Sequence, residues 1–429
     1  MMHKALKQAA SAGADATVTF HESRKVELSF EFNRLKGIQN TESLSLTAQA
    51  IKDGRLGVAF STKAGAEADV LERAMRLAEY GAPAPYSFPA PAPSTKPAVY
   101  SEEIASLRLE KMLEVGEDLS GFLKTLHPEV NGSVGVSKTT FREGIANTKG
   151  LEASWDRTVL SILAAAELVE GQNMVQLWDF HVSTGLDVDV ERMKREIQAR
   201  FELARKNVRI ETGTYPVLFT PMAFRDLVSP VLACLNGKAV TRGISPLAGR
   251  LGEQVFSPRL TVLEDGLMPG GLGSRMYDAQ GVACRRTSLI EKGVLSEYLL
   301  DLETAHKLGR DPIGTGGVSG IEPGNLVVEG GSQSKDDLLS GVKRGIMIES
   351  TMGAWAGNPY SGQVSGNIAM GFLIEDGKLV GRVKDCMFSV NVFKHLKDHL
   401  VALSREARNF GITLPYALVE NVSVTAKSG

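Results

Sequence analysis

Apolar and polar positions alternate early in the chain. In "KVELSFEF", Val26, Leu28, Phe30 and Phe32 are separated by polar residues, the two-residue period of a half-buried strand. "SLSLTAQAIKDGRLGVAF" reads as two strands joined at Asp53-Gly54, a strong hairpin signal. Residues 15–61 are therefore expected to form antiparallel sheet. "MMHKALKQAASAGAD" reads as a short helix ending near Gly13, and "EADVLERAMRLAEY" as a second helix stopped by Gly81. Six prolines from Pro83 to Pro97 then exclude helix and central strand. This segment is either a stiff linker or a surface strap, and it is the clearest expected boundary.

The period lengthens to that of a helix over 101–126, with Ile104, Leu107, Met112, Leu113 and Leu119 among its apolar positions. Strands are expected from about 131 to 184, turning at "NTKG", and a helix at "VERMKREIQARFELARK". "TYPVLFTPMAFRDLVSPVLACL" predicts a strand running into a helix. Thr220 suits the N-cap and Pro221 the first helical position. Phe224, Leu227, Val228, Val231, Leu232 and Leu235 form one apolar stripe, which leaves only Arg225, Asp226 and Ser229 as polar groups in the first turns.

Beyond residue 209 glycine density rises and strands dominate. Hairpins are expected to turn at Lys292-Gly293 and Asp376-Gly377. "DLETAHKLG" predicts a short helix with Asp301 as N-cap and Gly309 as its stop. "VNVFKHLKDHLVALSREARN" predicts the last long helix, and "ALVENVSVTA" a closing strand. The pattern divides the chain into residues 1–82, an N-terminal α+β domain, 83–100, a Pro-rich linker, 101–208, a middle α+β domain, and 209–429, a β-rich C-terminal domain. Strands that do not alternate regularly with helices make the fold α+β, with antiparallel sheets, rather than a doubly wound parallel sheet.

Composition narrows the function classes. The 429 residues carry a formal net charge of -2, and no basic block suggests nucleic-acid binding. No apolar run approaches the roughly 20 residues needed to span a bilayer, and the N-terminus lacks a signal-peptide pattern. Three cysteines, Cys234, Cys284 and Cys386, lie far apart without a C-x-x-C, which fits small core residues in a reducing cytoplasm.

Candidate chemistry is sparse. His395 and His399 stand four apart, the spacing with which a helix grips one metal ion, but Leu396 occupies the place of the glutamate base of H-E-x-x-H. With Cys386 they form the set that an independent metallopeptidase would need, and a solvated helix face explains them as well. Asp179 and His181 would share a strand face and could orient a proton, or serve as structural partners. Two glycine-rich stretches stand out. "PIGTGGVSGIEPGNLVVEGG", with Gly314, Gly316, Gly317 and Asn325, permits close backbone approach. "ESTMGAWAGNPYSGQVSGNIAMGF" places Trp355, Asn358, Tyr360, Ser361 and Gly362 between two strands. These nine residues are the candidates for peptide- or partner-facing surface. No complete catalytic set can be assembled.

The C-terminal half resembles the TldD and TldE (PmbA) family, once described as modulators of DNA gyrase. The residues that carry the resemblance are "YDAQGVACRRTSLIEKGVLSEYLLDLETAHKLG", "TGG…GNLVVEGG" and "SGQVSGNIAMGFLIEDGKLVGRVKDCMFSVNVFKHLKDHLVAL". The resemblance implies a C-terminal domain of the PmbA/TldD type. It further implies a heterodimer that cleaves extended or unfolded peptides, whose TldD branch holds zinc through H-E-x-x-x-H on a helix plus a later cysteine. Here the helix at 221–235 occupies that segment without His or Glu. The expectation is a TldE-like subunit with no metal of its own, zinc residing in a TldD-like partner. A homodimer is the other expected assembly, and a self-associating peptide- or protein-binding protein without proteolytic role the other expected function.

Overall fold

The computed structural model of the chain describes residues 2–171, 173–354 and 356–427, so Trp355 lies outside the described residues. In chain order the elements begin α1 (Met2–Ser11), β1 (Asp15–Glu31), β2 (Arg34–Lys52), β3 (Arg55–Ser61), α2 (Glu67–Ala78) and β4 (Ala82–Pro83). Then come α3 (Glu102–Ala105), α4 (Leu109–Leu126), β5 (Asn131–Asn147), β6 (Glu152–Glu170), β7 (Asn173–Ser183) and α5 (Val190–Ala204). They continue with β8 (Asn207–Val208), β9 (Gly213–Phe219), α6 (Pro221–Leu235), α7 (Gly237–Thr241), β10 (Val262–Asp265), β11 (Arg286–Glu291) and β12 (Val294–Leu295). After α8 (Leu302–Leu308), β13 (Leu326–Val328), α9 (Lys335–Ser340) and β14 (Arg344–Met352) come β15 (Gln363–Glu375), β16 (Lys378–Val383) and β17 (Cys386–Asn391). The last are α10 (Val392–Lys394), β18 (Leu400–Asn409) and β19 (Ile412–Ala426).

The fold is mixed α and β, rich in antiparallel strands, and it divides into two compact units. The first comprises residues 1–197, 265–286 and 300–324; the second comprises 198–264, 287–299 and 325–429. Among the described residues, no helix is long and apolar enough to cross a membrane.

The first unit is built on one sheet with strand order β4-β3-β2-β1-β5-β6-β7. The hairpin expected at Asp53-Gly54 is present: both residues have positive φ, 51° and 71°, as the tight turn between twisted strands requires. The same solution recurs at Lys292-Gly293 and Asp376-Gly377. Ala5, Leu6 and Ala9 of α1 and Val70, Leu71 and Ala74 of α2 pack with Val18, Leu46 and Ala48 of the sheet. Gly57 on β3 permits the approach of α2. A methyl group there would lie 2.0 Å from the Ala74 carbonyl oxygen and 2.4 Å from the Ala78 nitrogen.

The Pro-rich segment is a strap and does not separate two domains. Residues before and after it share one sheet, because β1 pairs with β5 along most of its length. Phe88 and Val99 are buried. The Phe88 N–H donates to Asp15 Oδ2 at 2.9 Å, Asn147 Nδ2 donates to the Pro89 carbonyl at 2.8 Å, and Tyr277 Oη donates to the Ala92 carbonyl at 2.6 Å. Prolines cannot donate to a ladder, but the carbonyls of such a segment still accept.

Compactness also departs from the expected segment 209–429, since residues 265–286 and 300–324 belong to the first unit. Tyr277 packs with Ile145, Leu151 and Trp155, while Val282 and Leu302 pack with Ile51 and Phe88.

In the second unit the sheet runs β12-β11-β10-β13-β19-β9-β14-β15-β16-β8, with β17 joined to β15 and β19 and β18 joined to β19. β9 lies between β14, parallel, and β19, antiparallel. The last long helix expected at 390–409 is not formed. A three-residue helical turn passes into a wider turn at His395–His399, and residues 400–409 become β18. These residues have good helix propensity, but pairing with β19 buries Leu400, Leu403 and Ser404. Ser404 Oγ locks the pairing by accepting from the Tyr416 N–H at 2.9 Å. Tertiary pairing overrides the weak local preference.

Candidate functional site

α6 starts as its sequence predicts. Thr220 Oγ1 caps the Ala223 N–H, and the same hydroxyl donates to the Glu349 carbonyl at 2.9 Å. The Thr220 N–H donates to the Ile348 carbonyl, so the helix start is tied to β14. Glu349 in turn forms an ion pair with Arg200 of α5. Phe224, Leu227, Val228 and Val231 are buried, as the apolar stripe requires. The polar positions at i, i+1 and i+4, Arg225, Asp226 and Ser229, share the other face.

That face opens on a pocket of about 580 Å³. Arg225, Asp226, Ser229 and Pro230 of α6 line one side. The other side is formed by Ala354, Gly357, Asn358 and Pro359 of the second glycine-rich loop, and by Gln363 and Val364 at the start of β15. Thr351 at the end of β14 donates from Oγ1 to Asp226 Oδ2. Burial raises the Asp226 carboxyl above the usual range, while the Thr351 hydrogen bond and the nearby Arg225 charge act the other way.

Zinc takes imidazole nitrogen, thiolate or carboxylate oxygen, and a catalytic site usually supplies three such ligands. Here the pocket supplies one carboxylate, already held by Thr351 and close to a guanidinium. The donor set does not fit zinc. Among the described residues, no group of three or more His, Cys, Asp or Glu side chains is arranged to hold a metal.

The candidate residues read from the sequence fall into two places. Asn358 lines the pocket, with its Oδ1 accepting from the Tyr360 N–H at 3.0 Å. Tyr360 and Ser361 form the short turn Pro359–Ser361 beside it, and Gly362 closes that turn against the Phe393 ring. Gly314, Gly316 and Gly317 are buried inside the first unit, and Asn325 is buried at the start of the last segment of the second. The three glycines present no surface to a peptide. They permit close packing: a Cβ on Gly316 would lie 2.3 Å from Gln280 Oε1 and 2.9 Å from Asp278 Oδ2.

Asp278 is the buried anchor of this loop. Its Oδ2 accepts from the Gly316 N–H at 2.6 Å, and its Oδ1 accepts from the Gln280 and Val282 N–H groups at 2.9 Å each. Burial pushes the carboxyl up to about 6, against those hydrogen bonds and the Arg275 charge. A carboxyl raised in the folded state binds its proton more tightly there than in the unfolded chain. Its stabilising contribution is therefore full at low pH and declines as pH rises through about 6. Denaturant titrations at pH 4 and pH 7 are expected to show the advantage of the parent over Asp278→Asn shrinking at pH 7. A gap that widens with pH contradicts this assignment.

The histidine candidates have structural partners. His395 is buried, with Nδ1 2.8 Å from the Asn391 carbonyl and Nε2 3.2 Å from the Asn421 carbonyl. His399 Nδ1 accepts from Asn421 Nδ2 at 3.0 Å, and Cys386 Sγ donates to the Lys384 carbonyl. Asp179 pairs with Arg192, and His181 lies 3.5 Å from Asp187. The sequence does contain a sign of the pocket, namely three polar positions on one face of an otherwise apolar helix. The Thr351 contact to Asp226 has none, because the two residues are far apart in the chain.

Comparison with known proteins bears on this unit directly. The pattern described as PmbA/TldA metallopeptidase C-terminal domain matches residues 212–426, and PmbA/TldA metallopeptidase domain 1 matches residues 16–78. An uncharacterized protein of Methanocaldococcus jannaschii is 26% identical over 415 residues, 92% of this chain and 93% of its own length. The metalloprotease PmbA of Escherichia coli O157:H7 is 29% identical over 201 residues, 47% of this chain and 42% of its own. A metalloprotease of Methanothermobacter thermautotrophicus is 35% identical over 216 residues, 49% and 47% of the two chains. The match thus spans less than half the length of each of these two named metalloproteases. TldE from Thermococcus kodakarensis has the same fold, with a TM-score of 0.90 at 23% identity over 99% of this chain and 100% of its own. A Thermotoga maritima protein whose name links it to DNA gyrase modulation superposes equally well, with a TM-score of 0.90 at 24% identity over 99% of both chains. With half of its length matched by the C-terminal pattern and its N-terminal strands by the first, the chain belongs to the PmbA/TldA metallopeptidase family.

Proposed function

We propose that this chain is the TldE/PmbA-like subunit of a TldD/TldE-type metalloprotease, which processes or degrades extended or unfolded peptides in the cytoplasm. The observation that carries the proposal is α6. It is capped, packed and faces a pocket, but the side chains it presents there are Arg225, Asp226 and Ser229, with one carboxylate where a zinc site needs about three ligands. In this reading the metal chemistry belongs to a TldD-like partner, and this chain helps to hold the peptide.

The border of the pocket suits that task. Gln363–Gly366 pair with β17 on one side. Among the described residues, the β14 ladder ends at Met352–Asn367 and does not reach them on the other. An extended peptide adds to an edge through its backbone, with little regard to side chains, and here it would displace the loop at Ala354 and Gly357, which lies against Gly366 and Gln363.

The test is reconstitution. The chain is expressed with a zinc-bearing TldD-like protein, co-purified, and supplied with an unfolded peptide. The complex is expected to cleave at least about tenfold faster than the partner alone, a difference of about 1.4 kcal/mol in the barrier. Cleavage no faster than with the partner alone sinks the proposal.

A further inference from the structure

The pocket on α6 contains a guanidinium that acts on the neighbouring Asp226 carboxyl only through its charge. Arg225 is exposed on its wall, and among the described residues its guanidinium has no ion-pair or hydrogen-bond partner. The other ionisable group lining the pocket is Asp226, part-buried and engaged by the Thr351 hydroxyl. Asn358 turns its Oδ1 to the Tyr360 N–H, and its Nδ2 donors are unpaired among the described residues. Two unspent donor groups, one of them cationic, therefore border the same cavity. Pro230, Ala354 and Val364 supply apolar surface beside them.

We infer that this pocket binds the C-terminal residue of a peptide, with the carboxylate on Arg225 and Asn358. The inference rests on the peptide-holding role proposed above and adds the part of the peptide that is recognised. A guanidinium offers a planar fork that matches a carboxylate, and a charge-assisted pair of this kind is stronger than a neutral hydrogen bond. Proline and small apolar side chains accept the last residue's side chain without selecting it closely. The volume, about 580 Å³, accommodates one or two residues of a peptide rather than a folded domain. An acidic side chain within a peptide presents the same carboxylate chemistry, so the test separates the two sources.

Fluorescence anisotropy on the full chain, alone and in the reconstituted complex, compares three labelled unfolded peptides. The first has a free C-terminal carboxylate. The second is its C-terminal amide. The third is an amide with internal glutamates. The free acid is expected to bind at least about tenfold more tightly than either amide. Arg225→Gln is expected to erase that preference, bringing the free acid down to the affinity of its amide. Arg225 is exposed, so the variant keeps its fold, and circular dichroism checks this. Equal binding of acid and amide overturns the inference and leaves the peptide-holding role standing. Tight binding of the glutamate amide overturns the C-terminal assignment. Failure of all three peptides to bind, with or without the partner, overturns both.

Discussion

Replacing Phe224 with alanine is expected to destabilise the protein by about 3–5 kcal/mol, the usual cost of removing a fully buried phenylalanine. Phe224 has no exposed surface and lies in the first turns of α6, one residue before the pocket-facing pair Arg225 and Asp226. Its removal leaves a void beneath the helix start, which the Thr220 cap and the β14 contacts hold in place and which therefore cannot collapse fully. Denaturant unfolding measures the loss. The result also discriminates between roles for α6. If the helix were a loosely attached cover, Phe224→Ala would cost under about 1 kcal/mol, as at surface positions. A loss near the expected value marks α6 as framework whose polar face is held rigidly.

The second large effect is expected at Gly57. A Cβ at this position meets backbone atoms of Ala74 and Ala78, at distances no real side chain adopts. Backbone cannot rotate away as a side-chain tip can, so α2 must lift from β3. Overpacking commonly costs about 1–3 kcal/mol and more where nothing yields. Gly57→Ala is expected to lose at least about 3 kcal/mol. Gly37→Ala is the control, because the space around Gly37 is open and its φ is ordinary. Equal stability of the two variants would show that α2 does not press on β3 as described.

Much of the fold was legible in local pattern. The turn at Asp53-Gly54, the cap and stop of α8, and the strand-to-helix passage at Thr220-Pro221 are each written in adjacent residues. The misses share one physical cause, which is pairing between residues far apart in sequence. Residues 400–409 look helical until β19 is available to pair with them. His21 looks isolated in the chain, yet its Nδ1 lies 2.8 Å from Glu143, whose carboxylate also accepts from Trp155 and Arg157. Burial alone would raise the Glu143 carboxyl, but the His21 and Arg157 partners hold it down at about 2. The site was legible only in part. Asn358 stands in an unusual glycine-rich loop, and the α6 residues stand out as polar positions on an apolar helix, but nothing in the sequence pairs the two. Gly314, Gly316 and Gly317 misled, because glycine marks close approach equally well in a buried junction and at an open surface.

The return of residues 265–286 and 300–324 to the first unit bears on how the chain is made. Domains commonly fold from the N-terminus as they leave the ribosome. Here the first unit cannot be completed in that order, because part of it comes from residues 265–286 and 300–324. Ile51, Phe88, Ile145 and Trp155 gain Tyr277, Val282 and Leu302 beside their earlier partners only after most of the chain has been synthesised. Until then the apolar surface around Ile51, Phe88, Ile145 and Trp155 is only partly covered, and the first unit closes as one body late in synthesis.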